Sequence, residues 1–416
     1  MDKTARSRCF VRIYAGLTPE FILSDNAKLP QNYPRNQMIG EETAMLRIPV
    51  IHARPGLITS RNIYHTNGNL LLGQDIVLDR RLLSRLGNMG IDSIYVKHPF
   101  SEERPPEILH EKTRVEAVRQ VGNTFTQLRD TKVLNVAGLN NAVKMIIEDI
   151  IDNRDVLIHL TDVRVYDDYT FGHSVNVCLI STMIGLKMGM NGRELQEMAV
   201  GAILHDIGKM TLPLPVLNKK TPLTPKEWDL IRGHAATGFE ILRHPGSIPL
   251  ISGHVAFQHH ENYDGTGYPR ALSGEEIHRY ARIAAVADLY DAITSDRPHR
   301  LAMLPHEAYE VILGSRGTKL DPEITDVFLQ NVSLFPLGSV VALDTGEIGV
   351  VVKLIPKLQA RPIIKIVYDR SGKNILDQPR LVDLTAELTR FIVKVFKPEE
   401  IAAMAANTSL ARAGVG

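Results

Sequence analysis

A chain of 416 residues, 44% hydrophobic and 23% charged, has the make-up of an ordinary globular protein with room for two to four domains and ample core. Its 48 basic and 47 acidic residues leave a net charge of +1, which argues against a nucleic acid polymer as partner and requires any phosphate binding to be local. Only Cys9 and Cys178 occur and the longest apolar run, around 175–185, falls short of the ~20 residues that span a bilayer, so a disulfide framework and membrane insertion are excluded and a cytoplasmic protein is expected.

Residues 1–44 are interrupted by Pro19, Pro30 and Pro34 and offer no core, so they read as a disordered N-terminal tail, or as an extension upstream of a start near Met45. Residues 45–100 read as a small α+β accessory module. Strands are predicted over 46–51 and 57–64, an Asn67-Gly68 hairpin turn follows, and Leu70–Leu72 returns. Asp79 caps a helix over 80–89 with Leu82, Leu83 and Leu86 on one face, and 91–97 forms the last strand. Arg80, Arg81 and Arg85 are best read as a solvated helix face. Residues 101–160 form a proline-rich joint and two linker helices, over 107–129 and 140–159; Val115, Val118, Phe125 and Leu128 make a stripe on the first. Packing on a neighbouring bundle is the simplest use of these helices, and a homodimer seam or a signal relay are the others.

Residues 161–332 carry the chemistry. An apolar helix over 198–204 runs into His205-Asp206-Ile207-Gly208-Lys209, where Gly208 is expected to end the helix in the left-handed conformation. An imidazole, a carboxylate and an ammonium at a helix end need partners. Neutral imidazole with carboxylate suits a divalent first-row metal. A lone His-Asp pair is more often chance. However, His173 opens the apolar helix over 175–180, and His234 follows in a helix begun at Thr224-Pro225. His259 and His260 end the segment 255–258, and Asp288 interrupts the core-like run 284–291. Each is singly better read as a core histidine or a capping aspartate; five together on four helices point to a metal site. Beyond Leu329, strands over 338–343, 347–355 and 361–368 make residues 333–396 a small β module, and residues 397–416 a helical scrap and loose C-terminal tail.

The order His173, His205-Asp206, His234, His259-His260, Asp288 resembles the HD superfamily of metal-dependent phosphohydrolases. The stretch His259-His-Glu-Asn-Tyr-Asp-Gly-Thr-Gly-Tyr-Pro269 resembles the HHExxDGxGYP pattern of the HD-GYP subfamily, with a match over roughly 165–330. The resemblance implies a mainly α protein in which an HD-type helical bundle is flanked by the two small modules. It implies metal-dependent hydrolysis of cyclic dinucleotides, chiefly cyclic di-GMP, to the linear dinucleotide or GMP. It further implies two divalent transition-metal ions, iron or manganese by precedent, with Asp206 bridging; His173, His205 and Asp288 would favour one ion and His234, His259 and His260 the other. Two such ions can hold a bridging hydroxide and clamp a phosphodiester for in-line attack. Lys209 would stabilise charge on the cleaved phosphate. Asp264, Gly267, Tyr268, Pro269 and Arg270 would form the substrate mouth, and Arg297 and Arg300 would take the second phosphate or a guanine edge. Asp291 belongs either to the substrate side or behind a ligand as an anchor. Some members carry a glutamate for a third metal where this chain has Tyr169, with Asp167 and Asp168 off register, which favours two ions. Two alternatives stand: an HD phosphohydrolase of another nucleotide or of a mixed cyclic dinucleotide, and a non-catalytic cyclic di-GMP receptor.

Overall fold

The computed structural model describes residues 45–404 apart from 65–69, 92, 102–107, 154–168, 218, 220, 245–247, 296–301 and 356–357. The expectations for residues 1–44, for the Asn67-Gly68 turn, for Asp167 and Asp168, and for Arg297 and Arg300 lie outside the described residues.

In the N-terminal module β1 (Met45–Pro49) alternates half-buried and buried positions, which places Leu46 and Ile48 inside. It pairs antiparallel with β4 (Ser93–Lys97), from Met45 opposite Lys97 to Pro49 opposite Ser93. The strand expected over 57–64 contracts to β2 (Ile63–Tyr64), paired with β3 (Leu70–Leu72). Residues 58 and 59 pair elsewhere, as isolated bridges of Ile58 with Val77 and Thr59 with Val96, and the Thr59 hydroxyl donates to Gly73 O at 2.9 Å and accepts the Ile76 N–H at 2.9 Å. The helix α1 (Arg80–Asn88) starts where Asp79 accepts the Leu82 N–H at 2.7 Å.

The linker helices α2 (Glu111–Thr131) and α3 (Ala137–Asp152) pack on the bundle. Their Val118, Phe125, Leu139 and Ile146 share one core with Val177 and Leu179 of α4 (Tyr169–Lys187). Phe125 is fully buried and meets Phe171 edge-on at 5.9 Å, a position where truncation to alanine would cost about 3–5 kcal/mol. The bundle continues through α5 (Gly192–Ile203), the one-turn α6 (Leu214–Leu217), α7 (Pro225–Arg232), α8 (His234–Leu242), α9 (Leu250–Gln258), α10 (Arg279–Thr294), α11 (Pro305–Gly314) and α12 (Pro322–Asn331). At its centre α4 packs on α5 and α10, and α9 lies against α5, α8 and α10. Among the described residues no helix is long and apolar enough to cross a membrane.

The C-terminal module is a five-stranded antiparallel sheet of β5 (Val340–Leu343), β6 (Ile348–Lys353), β7 (Ile363–Tyr368), β8 (Arg380–Asp383) and β9 (Ile392–Val395), in the order β8-β7-β6-β5-β9. The edge strands β8 and β9 escape sequence reading because each buries a single residue, Val382 and Ile392, and so lacks alternation. The two small modules, read as separate, share one core: Leu46, Ile48, Ile94 and Val96 pack with Val340, Val350 and Val367. Residues 398–404 are helical and bury Ile401 and Ala402 in that core. His98 fastens the joint, its Nε2–H donating to Gly338 O at 2.9 Å while Nδ1 accepts the Phe100 N–H at 3.1 Å.

Candidate metal centre

The centre is built on Asp206. A capping box starts α5: Asn191 accepts the Arg193 and Glu194 N–H groups at 3.0 and 3.1 Å, and Glu194 accepts the Asn191 N–H at 2.8 Å. Leu195, Met198, Ala199, Ala202 and Ile203 then carry the helix into the bundle, so the chain emerges with His205 and Asp206 buried. A carboxylate taken out of water needs compensation. His205 Nε2 lies 3.4 Å and His173 Nε2 3.9 Å from Asp206 Oδ2, and His234 Nε2 and His259 Nε2 lie 3.3 and 3.7 Å from Oδ1. Lys209 Nζ donates to Oδ2 at 2.5 Å. Burial alone would raise the Asp206 pKa, but Lys209, His205 and His234 outweigh it and hold the carboxyl well below its usual range.

Two local expectations are corrected here. Gly208 is not left-handed. It is required by close approach: a Cβ would stand 2.0 Å from the carbonyl oxygen of His234 and 2.7 Å from the nitrogen of Gly238. The helix expected to run from Thr224 through His234 breaks at Gly233, so α7 ends at Arg232 and His234 opens α8.

That break gives three histidines the same surroundings. His205 follows the end of α5, His234 the end of α7 and His259 the end of α9. In each case Nδ1–H caps a carbonyl three residues back: Ala202 O at 2.8 Å, Ile231 O at 2.6 Å and Ala256 O at 3.0 Å. These carbonyls of the last helical turn therefore fix the tautomer, leaving Nε2 on the side of Asp206. The negative dipole ends of α5 and α9 point there as well, whereas that of α7 is offset by the start of α8 at His234.

The donor chemistry fits divalent ions. Asp206, His234, His259 and His260 each offer an atom within 4.8 Å of the others, as do His173, His205 and Asp206, and also His205, His259 and Asp288. His234 Nε2 and His259 Nε2 face each other at 3.3 Å, and neither His205 Nε2 nor Asp206 Oδ1 has a hydrogen-bond partner. Buried acceptors crowded together call for a cation. The set contains no thiolate, which suits iron, manganese or zinc alike. Burial lowers His259 well below the ordinary histidine value and pushes His260 down to about 4, so both are neutral at pH 7, as ligands must be. At His173 burial again lowers the pKa, but Asp288, 3.1 Å from Nε2, and Asp291, 2.7 Å from Nδ1, outweigh it and raise the imidazole to about 10, so an ion binding at Nε2 has to displace that proton. His173 in turn holds the Asp288 carboxyl far below its usual range against the effect of burial.

Asp291, set on the substrate side by one reading, is corrected to the anchor behind His173. Its Oδ2 accepts the imidazole Nδ1–H at 2.7 Å and its Oδ1 accepts from Asn176 Nδ2 at 2.8 Å. In the loop after His260, Glu261 is the organiser that sequence reading left without a role. It is buried and accepts the Arg270 and Leu272 N–H groups at 2.8 and 3.0 Å. Asp264 is exposed and shapes the turn, accepting from Thr266 N at 3.0 Å and Thr266 Oγ1 at 2.6 Å. A Cβ on Gly267 would lie 2.2 Å from the nitrogen of Asn262, so only glycine closes the loop. The loop sets the Tyr268 ring 4.8 Å from the His260 ring, ahead of Pro269; burial, then Asp206 and Asp288, push the phenol pKa up. Arg270 lies over Phe257 at 5.7 Å. His244, His254, His278 and His306 enter none of the ligating groups.

Residues 146–324 match the HD domain family and residues 340–404 the KOW domain associated with HD domain. A cyclic di-GMP phosphodiesterase of Pseudomonas aeruginosa is 33% identical over 264 residues, which is 64% of this chain and 63% of that protein. A cyclic di-GMP phosphodiesterase of Thermotoga maritima is 37% identical over 42% of this chain and 48% of its own length. The 3'3'-cGAMP-specific phosphodiesterase 3 of Vibrio cholerae is 33% identical over 40% of this chain and 36% of its length. The chain thus spans between about one third and just under two thirds of these curated relatives. The bundle is therefore similar to HD domains, and its His205-Asp206 pair and His259–Pro269 loop carry the residues of the HD-GYP pattern.

Proposed function

We propose that the chain is a cyclic di-GMP phosphodiesterase working with two divalent ions, iron or manganese, that share Asp206. What carries the reading is the pair of ligand groups that meet at that carboxylate. His173, His205 and Asp288 would hold one ion, and His234, His259 and His260 the other. Bound there, the ions supply water activation at neutral pH and neutralise phosphate charge.

The remaining roles belong to the chain. Asp291 keeps His173 in the tautomer that presents Nε2, and the carbonyls of Ala202, Ile231 and Ala256 do the same for His205, His234 and His259. Lys209 is partly exposed at the rim, where its ammonium meets the charge that builds on the phosphoryl oxygens. His260, Asp288 and Tyr268 are likewise half-buried, so the cluster opens on this side. Arg270, Arg297 and Arg300 are proposed to meet the remote half of the dinucleotide.

The Vibrio cholerae relative favours one second reading, a mixed cyclic dinucleotide as substrate. The test is to load the protein anaerobically with iron or manganese, offer cyclic di-GMP and 3'3'-cGAMP separately, and identify the products. Linear dinucleotide or GMP is expected, with close to two ions bound per chain. Tight binding without turnover would support a receptor instead, and one ion or none after reconstitution would defeat the two-metal assignment.

A further inference from the structure

A cation at the rim of the metal centre is left without a role. Arg232 is the last residue of α7, exposed, two positions before His234. Its guanidinium carbon lies 5.4 Å from the centre of the Tyr268 ring, and that ring in turn lies 4.8 Å from His260. Among the described residues no carboxylate pairs with it, whereas Lys209 is engaged by Asp206. An arginine at a helix C-terminus is often no more than a partner for the dipole. Here, however, the side chain lies over an aromatic ring that forms the wall of the cluster. Such a cation–π contact holds the guanidinium beside the ring while its N–H groups remain available to a ligand.

We infer that Arg232, held beside Tyr268, binds the second, unreacting phosphate of the cyclic dinucleotide. The inference rests on the phosphodiesterase reading. A cyclic dinucleotide carries two phosphodiester charges, and only one can lie on the ions. The other enters the mouth as an anion and needs a donor fork, which an arginine matches better than a lysine. An unpaired full positive charge selects that anion over a neutral base edge. Trp228 lies one helical turn before Arg232 on the same side of α7 and is 51% exposed. It is the only tryptophan in the chain, so its fluorescence reports on ligands bound at this rim.

The experiment compares manganese-loaded wild type, Arg232→Ala and Arg232→Lys. Kinetics are read on cyclic di-GMP and on bis(p-nitrophenyl) phosphate, and Trp228 fluorescence is titrated with cyclic di-GMP and cyclic di-AMP in a slow Lys209→Ala background. Loss of one charged hydrogen-bonding partner should raise KM and Kd for the dinucleotides about 10-fold or more, with kcat changed far less. The lysine variant should recover part of that loss. The preference in kcat/KM for cyclic di-GMP over the small ester should fall by a similar factor. A loss confined to cyclic di-GMP would mean a guanine contact and overturn the phosphate assignment. An equal loss on both substrates would make Arg232 a support of the metal centre, and unaltered kinetics would remove it from the site. Wild-type protein that neither binds nor cleaves a cyclic dinucleotide would instead defeat the functional reading beneath.

Discussion

One methyl group tests how the metal centre is held together. In Gly208→Ala the new Cβ would start 2.0 Å from the His234 carbonyl oxygen and 2.7 Å from the Gly238 nitrogen. Ordinary contact needs roughly 3.5 Å, so something must retreat by more than about 1 Å. Both obstructing atoms are backbone atoms of α8, and no rotamer change can relieve them. The helix therefore shifts, taking His234 Nε2 from its place 3.3 Å from Asp206 Oδ1. Overpacking of this kind costs about 1–3 kcal/mol, a lowered Tm rather than an unfolded chain. A misplacement near 1 Å at a reacting centre costs on the order of 10²-fold in rate. Gly192→Ala serves as control, because a Cβ at this first position of α5 meets nothing within 4 Å and should be neutral or slightly stabilising. Metal content, Tm and kcat on cyclic di-GMP are the measurements. Wild-type metal affinity and turnover in Gly208→Ala would show that α8 does not rest on this backbone.

Three further outcomes are expected. Lys209→Ala should lower kcat by roughly 10²-fold with a smaller change in KM, as when one donor to a developing oxyanion is removed; a pure KM effect would place the lysine in ground-state binding. Asp291→Asn keeps the shape but loses the charge behind His173, so metal affinity in a chelator competition should fall about 10- to 100-fold; unaltered affinity would deny Asp291 its positioning role. Acid should loosen the joint at His98, whose pKa burial pushes down from 6.5 to about 4 against the weaker upward pull of Gly338 O. With the folded value below the unfolded one, the stabilisation is complete above about pH 6.5 and is lost as pH falls toward 4, about 2 kcal/mol being gone by pH 5. Hydrogen exchange over 93–100 and 338–343, corrected for intrinsic rates, should show this slope in wild type and not in His98→Gln; equal slopes would exonerate the histidine.

The clustering of the candidate ligands could be read from sequence because seven acceptors interrupt otherwise apolar helices, and such interruptions are costly without a purpose. The orientation of those ligands could not. That Asp291 turns inward to His173 depends on α4 and α10 packing side by side, a contact between residues 118 positions apart. Gly208 looked like a helix stop because a glycine after a helix usually is one; its real constraint comes from α8, which no local pattern announces. The shared core of the two small modules was equally hidden. Leu46, Ile48, Val340 and Val350 show that their strands have an inner face, but not that the faces are each other's partners.

One regularity does join sequence to chemistry. A histidine three residues beyond a helix's last accepting carbonyl can cap it with Nδ1–H, and the imidazole then has no choice but to present Nε2 as an acceptor. The chain uses this arrangement at Ala202–His205, Ile231–His234 and Ala256–His259. It dispenses with a separate carboxylate behind each of these ligands, and only His173, which lies within a helix instead of at its end, needs Asp291 for the same service. At Gly233 the chain stays right-handed, its N–H on Asp229 O at 3.1 Å and its C=O accepting from Thr237 N at 3.0 Å. His234 therefore stands at the end of one helix and the start of the next, and its Nδ1–H reaches back to the Ile231 carbonyl of the first.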